Sequence, residues 1–384
     1  MRSLVSVQDL TNDDLLRVFE LAARLADEGG VEPRRNLAIA QESLAAIGIS
    51  ADALALDRVM ATLFFEPSTR TRLSFEAAMH RLGGRVLGFS DSRTSSVSKG
   101  ETLADTIRIV NGYSDIIVIR HPLEGAAHVA SCFSDAPVIN AGDGGREHPT
   151  QCLLDLFTLR RELGHIAGLK VGLCGDLKYG RTVHSLAQGL ARLGAEPICI
   201  APATLRMPAH ILDFVQETTG TRPPEVERPE EVLPDLNALY VTRIQQERFE
   251  DPAEYEALRG IYVVDPELMR RASKDCIVMH PLPRVDEISP AFDSDPRAAY
   301  FRQGHNGVPV RMALVCLMFA AVEPAGIAPG IPGAAADPGR ECDNPRCITR
   351  AERYLPQRFD PLPYGGIRCA YCEARPAQQE LRLS

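Results

Sequence analysis

The chain has 384 residues, enough for two ordinary domains and a small third one. Its formal net charge of −9 argues against a general affinity for nucleic acid or for an anionic membrane surface. The longest apolar run, Met312 to Val322, has 11 residues against the roughly 20 that a spanning helix needs. The start, MRSLVSVQDLTNDD, has no basic-then-apolar signal pattern, so a soluble cytoplasmic protein is expected.

Val7 to Ala26 reads as an amphipathic helix, with Asp13 and Asp14 near its start and Leu15, Val18, Phe19, Ala22 and Leu25 on one face. Residues 29–50 give a mixed pattern that predicts no element. Val59 to Phe65 is then an apolar run, stopped by Pro67 and followed by Ser68-Thr69-Arg70-Thr71-Arg72. Behind these, Leu73, Phe75, Met79 and Leu82 recur at helical spacing. This predicts strand, tight turn and helix N-terminus. The first turn of a helix leaves backbone N–H groups unpaired and carries partial positive charge. Hydroxyls from Ser68, Thr69 and Thr71 and the planar fork of Arg70 complete a site for a phosphate dianion. The plainer reading is an N-cap beside a solvated basic turn.

Gly83-Gly84 ends that helix, and Val86 to Phe89 is a short strand. Residues 91–103 form a Ser-rich polar loop that, read alone, is ordinary surface. Ile116 to Ile119 is a buried strand that delivers Arg120-His121-Pro122 at its end. Val138-Ile139 is another, followed by a Gly-rich turn and by His148-Pro149-Thr150-Gln151, which opens a helix from Cys152 to Leu163. Strands then follow at Lys170–Cys174, Pro197–Ile200, Ala238–Thr242 and Cys276–Met279, with a helix at Val183–Leu193. Arg70, Arg120, Arg181, Arg243 and Arg284 each sit on a loop after a strand. Ligands of open α/β sheets bind beyond the carboxyl ends of the strands, so these arginines suggest a basic crevice for small polyanions.

The alternation predicts an α/β chain of two doubly wound parallel-sheet domains, 1–146 and 147–304. The apolar helix 305–322 is expected to complete the first. Residues 323–340 form a Pro/Gly/Ala linker. In 341–375, Cys342-x4-Cys347 and Cys369-x2-Cys372 lie 21 residues apart. Four thiolates so spaced suit tetrahedral Zn²⁺ in a closed structural module, with disulfides as the alternative. The other six cysteines are scattered among apolar neighbours and are expected to be buried and reduced. The tail has arginines but no dense basic-aromatic patch, which favours protein contact over nucleic acid.

The motifs Ser68–Arg72, Ser98-Lys99-Gly100-Glu101-Thr102, Arg120-His121-Pro122, His148–Gln151, Gly175–Arg181 and His280-Pro281-Leu282-Pro283-Arg284 together resemble the catalytic chain of the aspartate carbamoyltransferase family. The resemblance runs from about residue 4 to residue 322. It implies transfer of a carbamoyl group from carbamoyl phosphate to L-aspartate, on the way to pyrimidines, with no metal in the chemistry. It implies that Ser68, Thr69, Arg70, Thr71 and Arg120 hold the phosphate. Thr71, Arg120 and His148 would face the carbonyl oxygen, and Gln151 the carbamoyl amide. Arg181, Arg243 and Gln245 would take the aspartate carboxylates, and the carbonyls of Pro281 and Leu282, before a cis Leu282–Pro283 bond, the nitrogens. Ser95 and Lys99 would reach the neighbouring subunit's site, which implies a homotrimer, with a higher assembly or another pyrimidine enzyme as the further candidate partners. The Cys tail resembles the metal-binding half of the family's separate regulatory chain, without its nucleotide-binding half. An ornithine-using transferase is the nearest rival. A scaffold that binds a partner through the tail is the rival of another class.

Overall fold

The computed structural model describes residues 3–27, 33–91, 99–244, 255–256, 258–321, 339–362 and 366–375. In chain order the elements begin with α1 (Asn12–Asp27), α2 (Pro33–Ala46), β1 (Val59–Phe64), α3 (Thr69–Arg81), β2 (Arg85–Phe89), α4 (Leu103–Asn111), β3 (Ile116–His121), α5 (Ala126–Cys132) and β4 (Val138–Asp143). Then come α6 (Pro149–Leu163), β5 (Lys170–Cys174), α7 (Arg181–Arg192), β6 (Glu196–Ile200), α8 (Ala209–Thr219), β7 (Glu225–Val226), β8 (Ala238–Val241), β9 (Ile277–Met279) and α9 (Tyr300–Ala321). A short tail adds α10 (Ile348–Ala351), β10 (Phe359–Pro361) and β11 (Ile367–Cys369). No helix among the described residues is long and apolar enough to cross a membrane.

The chain divides into two compact units. The first comprises Met1–Asp9, Gly30–Arg146 and Leu314–Ser384. Its sheet has the order β2-β1-β3-β4, with every pair parallel. The inner strands β1 and β3, and β4 beside them, are buried on both faces along most of their length, as parallel strands covered by crossover helices are. The second unit comprises Leu10–Gly29 and Glu147–Ala313, with a parallel sheet of order β7-β6-β5-β8-β9.

Three elements differ from the sequence expectations. The N-terminal helix starts at Asn12, and its segment groups with the second unit. Leu15, Val18, Phe19, Ala22 and Leu25 are all buried, and the Phe19 ring lies 6.2 Å from that of Phe157 on α6. Periodicity marks an apolar face but not the partner that covers it. Residues 33–46, for which the pattern predicted no element, form α2. The last helix begins at Tyr300 and continues through Pro309. Its early turns are half exposed, but Gln303 and Asn306 are buried and bond to Asp155 and Thr158 of α6 (2.6 and 3.0 Å). The Gln303 pairing is invisible in sequence, and the helix starts five residues ahead of the expected 305.

Phe19→Ala is expected to lower the stability of the second unit by about 3–5 kcal/mol in urea unfolding, the cost of emptying a fully buried aromatic site. A loss below about 1 kcal/mol would mean that α1 is not seated on α6.

Candidate active site and candidate metal centre

In the first unit β1 ends at Phe64, Pro67 breaks the strand, and α3 opens with Ser68 as extended N-cap at φ −158° and ψ 103°. The Ser68 side chain makes no capping hydrogen bond, so among the described residues no hydroxyl of its own closes this first turn. Thr71 is buried on the same turn, and its carbonyl accepts the Ser74 hydroxyl at 2.9 Å. Arg70 is largely exposed, yet packing around its guanidinium desolvates it and lowers its pKa. It stays charged, since an arginine does not deprotonate in a protein near neutral pH.

Arg120 enters this turn through strand register, because β3 pairs with β1 so that Arg120 stands opposite Phe64. Its Nη2 donates to Glu66 Oε1 at 2.8 Å and its Nη1 to the Ala141 carbonyl at 3.3 Å. Glu66 thus orients Arg120, a role that its place before Pro67 did not reveal. The neighbouring His121 has a different task. Burial pushes its pKa down to about 4, and its Nδ1 accepts the Leu123 N–H at 3.0 Å, so the ring is neutral and shapes the turn. Lys99 is exposed, and Ser95 lies outside the described residues.

In the second unit His148 is the N-cap of α6, with Pro149 at the first helical position. Proline there is pre-organised and loses no hydrogen bond, which starts the helix ahead of the expected Cys152. His148 is buried, its N–H facing Ser185 Oγ at 3.4 Å. Gln151 follows in the first turn and donates through Nε2 to Asp155 Oδ1 at 2.9 Å.

Arg181 is the first residue of α7, after β5, and Arg243 lies two residues beyond the end of β8. Since β5, β8 and β9 are neighbours and parallel, Arg181, Arg243 and the Pro281-Leu282 segment all emerge at the same edge. Gly175 makes the approach possible: at φ +119°, a Cβ there would lie 2.2 Å from the Thr242 carbonyl. After β9 the Leu282–Pro283 bond is cis and Leu282 has φ 49°. The Leu282 N–H donates to His280 Nδ1 at 2.8 Å, while His280 Nε2 faces Glu287 Oε1 at 2.7 Å. With Nδ1 accepting, Nε2 must carry the proton. Burial alone would raise the Glu287 carboxyl, but the His280 donor and the backbone N–H groups hold it below its ordinary range. Arg284, the fifth strand-end arginine, turns instead to Asp293 at 2.6 Å. Gln245 lies outside the described residues.

The tail belongs to the first unit. Cys342, Cys347, Cys369 and Cys372 are buried, free of disulfides, and bring their sulfurs within 4.8 Å of one another. Cys342 and Cys372 are 3.5 Å apart and Cys347 and Cys369 3.8 Å. Thiolates at about 2.3 Å from a common tetrahedral metal stand roughly 3.8 Å apart, so the set fits such an ion and not two disulfides.

This module docks on its own chain. Glu124 N–H donates to the Arg346 carbonyl and the Glu124 carbonyl accepts from Ile348, both at 2.9 Å. Asn344 Nδ2 reaches Glu124 Oε2 at 2.7 Å, and Arg146 pairs with Glu373 at 2.9 Å. Gly125, at φ +87°, lies so close that a Cβ would be 2.7 Å from the Tyr371 backbone. Ile348, Leu355 and Tyr371 join the core formed by Ile117, Ala127 and Val129. Two module side chains also reach the start of α4: Glu352 Oε1 accepts from Leu103 N–H (3.0 Å) and the Tyr354 hydroxyl from Ala104 N–H (3.3 Å).

Three family models match in succession. The aspartate/ornithine carbamoyltransferase carbamoyl-P binding domain covers residues 2–161 and the Asp/Orn binding domain residues 167–318. The metal binding domain of the aspartate carbamoyltransferase regulatory chain covers residues 340–382. The chain therefore belongs to the aspartate/ornithine carbamoyltransferase family. It is similar to the aspartate carbamoyltransferase catalytic subunit of Thermococcus gammatolerans, 52% identical over 320 residues, which span 82% of this chain and 97% of the relative. Among solved structures, the catalytic subunit of M. jannaschii aspartate transcarbamoylase is 45% identical, with a TM-score of 0.71 over 83% of this chain and 98% of that one. Trypanosoma cruzi aspartate transcarbamoylase, solved with carbamoyl phosphate and aspartate, is 39% identical, with a TM-score of 0.70 over 82% of this chain and 94% of that one.

Stripping the metal with a chelator is expected to release the module. Amide hydrogen exchange at Leu103, Ala104, Glu124 and Ile348 should then accelerate together, because each of these hydrogen bonds joins the module to the rest of the unit and all break as it leaves. Unchanged protection after complete metal loss would mean that docking holds without the ion.

Proposed function

We infer that the protein transfers the carbamoyl group of carbamoyl phosphate to the amine of L-aspartate, giving N-carbamoyl-L-aspartate and phosphate for pyrimidine biosynthesis. One observation carries the reading: the open first turn of α3, with Ser68 to Thr71 on it and Arg120 held at the adjacent strand end by Glu66. Such a turn binds a phosphate dianion through N–H groups, hydroxyls and guanidinium. Ser68, Thr69, Arg70, Thr71 and Arg120 take the phosphate. The amine attacks the carbonyl carbon, the C–N bond forms, and the carbonyl oxygen becomes an oxyanion faced by Thr71, Arg120 and His148. The C–O bond to phosphate then breaks. The departing phosphate takes the amine proton, so no side chain is assigned as base. Gln151 and the carbonyls of Pro281 and Leu282 accept from the nitrogens, while Arg181, Arg243 and Gln245 hold the carboxylates.

The exposed Lys99 suits a side chain that serves a neighbouring subunit, and with Ser95 it supports a homotrimer with shared sites. The four-cysteine set suits structural Zn²⁺, which contributes folding and not catalysis. The metal released by the chelator should be zinc by elemental analysis. The ten cysteines are free and buried, which suits a reducing cytoplasm.

Parallel assays with L-aspartate and L-ornithine, following phosphate and the carbamoylated product, should give turnover with aspartate alone. Turnover with ornithine would move the assignment to the sister activity. Arg70→Ala and Lys99→Ala chains should each be inactive alone, and mixing them after subunit exchange should restore part of the activity. Verified exchange without recovery would remove the shared site.

A further inference from the structure

Asp155 has no part in the reaction as drawn, yet it is fully buried one helical turn after Gln151. Its Oδ1 accepts from Gln151 Nε2 at 2.9 Å and from Gln303 Nε2 at 2.6 Å. Its Oδ2 accepts the Tyr240 hydroxyl at 2.8 Å. Burial raises its pKa to about 7, against three donors and the buried Arg311, which favour the charge. A carboxylate kept in the core at such desolvation cost calls for a task that an apolar side chain could not perform.

An amide presents a donor at one end and an acceptor at the other, and the two ends have nearly the same shape. Asp155 Oδ1 accepts from both amides whether or not Oδ2 carries a proton toward the Tyr240 oxygen. It therefore fixes both glutamine amides with NH₂ toward itself and carbonyl away. The Gln303 carbonyl then accepts the backbone N–H of His280 at 2.8 Å, at the head of the turn that carries Pro281 and Leu282. The Gln151 carbonyl accepts no hydrogen bond among the described residues.

We propose that Asp155 is a positioning residue that makes the carbamoyl-nitrogen side of the site acceptor-only, and so selects NH₂ over an isosteric methyl group on the acyl donor. Through Gln151 it aims a carbonyl oxygen at the substrate, and through Gln303 it anchors the turn that supplies two more. With Gln151 reversed, its NH₂ would meet the substrate NH₂, donor against donor. The proposal rests on the reading of Gln151 as the partner of the carbamoyl amide.

The test compares carbamoyl phosphate with acetyl phosphate, which carries CH₃ in place of NH₂, as donors to L-aspartate. Acetyl transfer breaks the same C–O bond and forms the same C–N bond, giving N-acetyl-L-aspartate and phosphate. Asp155→Leu has similar bulk and no acceptor. It should reduce the kcat/KM preference for carbamoyl over acetyl phosphate by about 10-fold or more, because a site without a fixed acceptor no longer distinguishes NH₂. Asp155→Asn can keep its carbonyl toward both glutamines and its NH₂ toward the Tyr240 oxygen, so it should retain the preference within about 3-fold. Should the leucine variant not fold, Asp155→Ser replaces it. Its hydroxyl stops short of both amides, and water in the space left can donate as well as accept.

Equal losses with both donors would mark Asp155 as merely structural and overturn the proposal. So would an asparagine variant that loses the preference as the leucine variant does. A wild-type protein that carbamoylates nothing would instead remove the underlying assignment of Gln151, a result separate from either.

Discussion

Parallel pairing constrains the rest of this protein. Two parallel strands cannot be joined by a tight turn. The chain must cross back over the sheet, and a helix is the economical way to do so. All strands of each main sheet then end at one edge, where every crossover helix begins. That edge collects unpaired first-turn N–H groups and whatever side chains the loops carry. Arg70 and Arg120 in one unit, and Arg181, Arg243 and Pro281-Leu282 in the other, occupy such edges. The candidate site residues are concentrated there because the backbone topology gathers strand ends and helix starts at that edge.

The metal module answers a different constraint. Among the described residues its secondary structure amounts to one turn of helix and a pair of short antiparallel strands, too little to bury an adequate core. Four thiolates supply the crosslink, and the first unit supplies the missing apolar surface. The docking is specific as well as apolar: a backbone bridge at Glu124, an ion pair at Arg146 and a glycine at position 125 fit one orientation. Because Glu352 and Tyr354 cap the amides that open α4, the module also braces the segment that follows Lys99.

Polar burial follows the same economy in both halves. Glu66 beside Arg120, Glu287 beside His280 and Asp155 among two glutamines and a tyrosine are each acceptors aimed at a donor with a task. A buried acceptor fixes which atom of its partner faces the other way, and a site that reads a small polar substrate needs that orientation more than extra affinity.

Much of this was legible in the chain. Continuous apolar runs identify the parallel strands, because a strand covered on both faces has no polar side to show. The turn from Ser68 to Arg72, the motif His148 to Gln151 and the four tail cysteines carry their chemistry in local spacing, since a helix start or a metal knuckle is made within a few residues. The sequence by itself determined the α/β class, the candidate residues and the thiolate set. Tertiary structure decided what covers what: α1 against α6, the metal module against its own first unit, and a last helix that begins at Tyr300 because Gln303 and Asn306 find buried partners. It also decided the supporting roles of Glu66, Asp155 and Glu287. Each of these depends on a donor brought from a distant element or around a turn, and such a pairing has no signature at either residue alone.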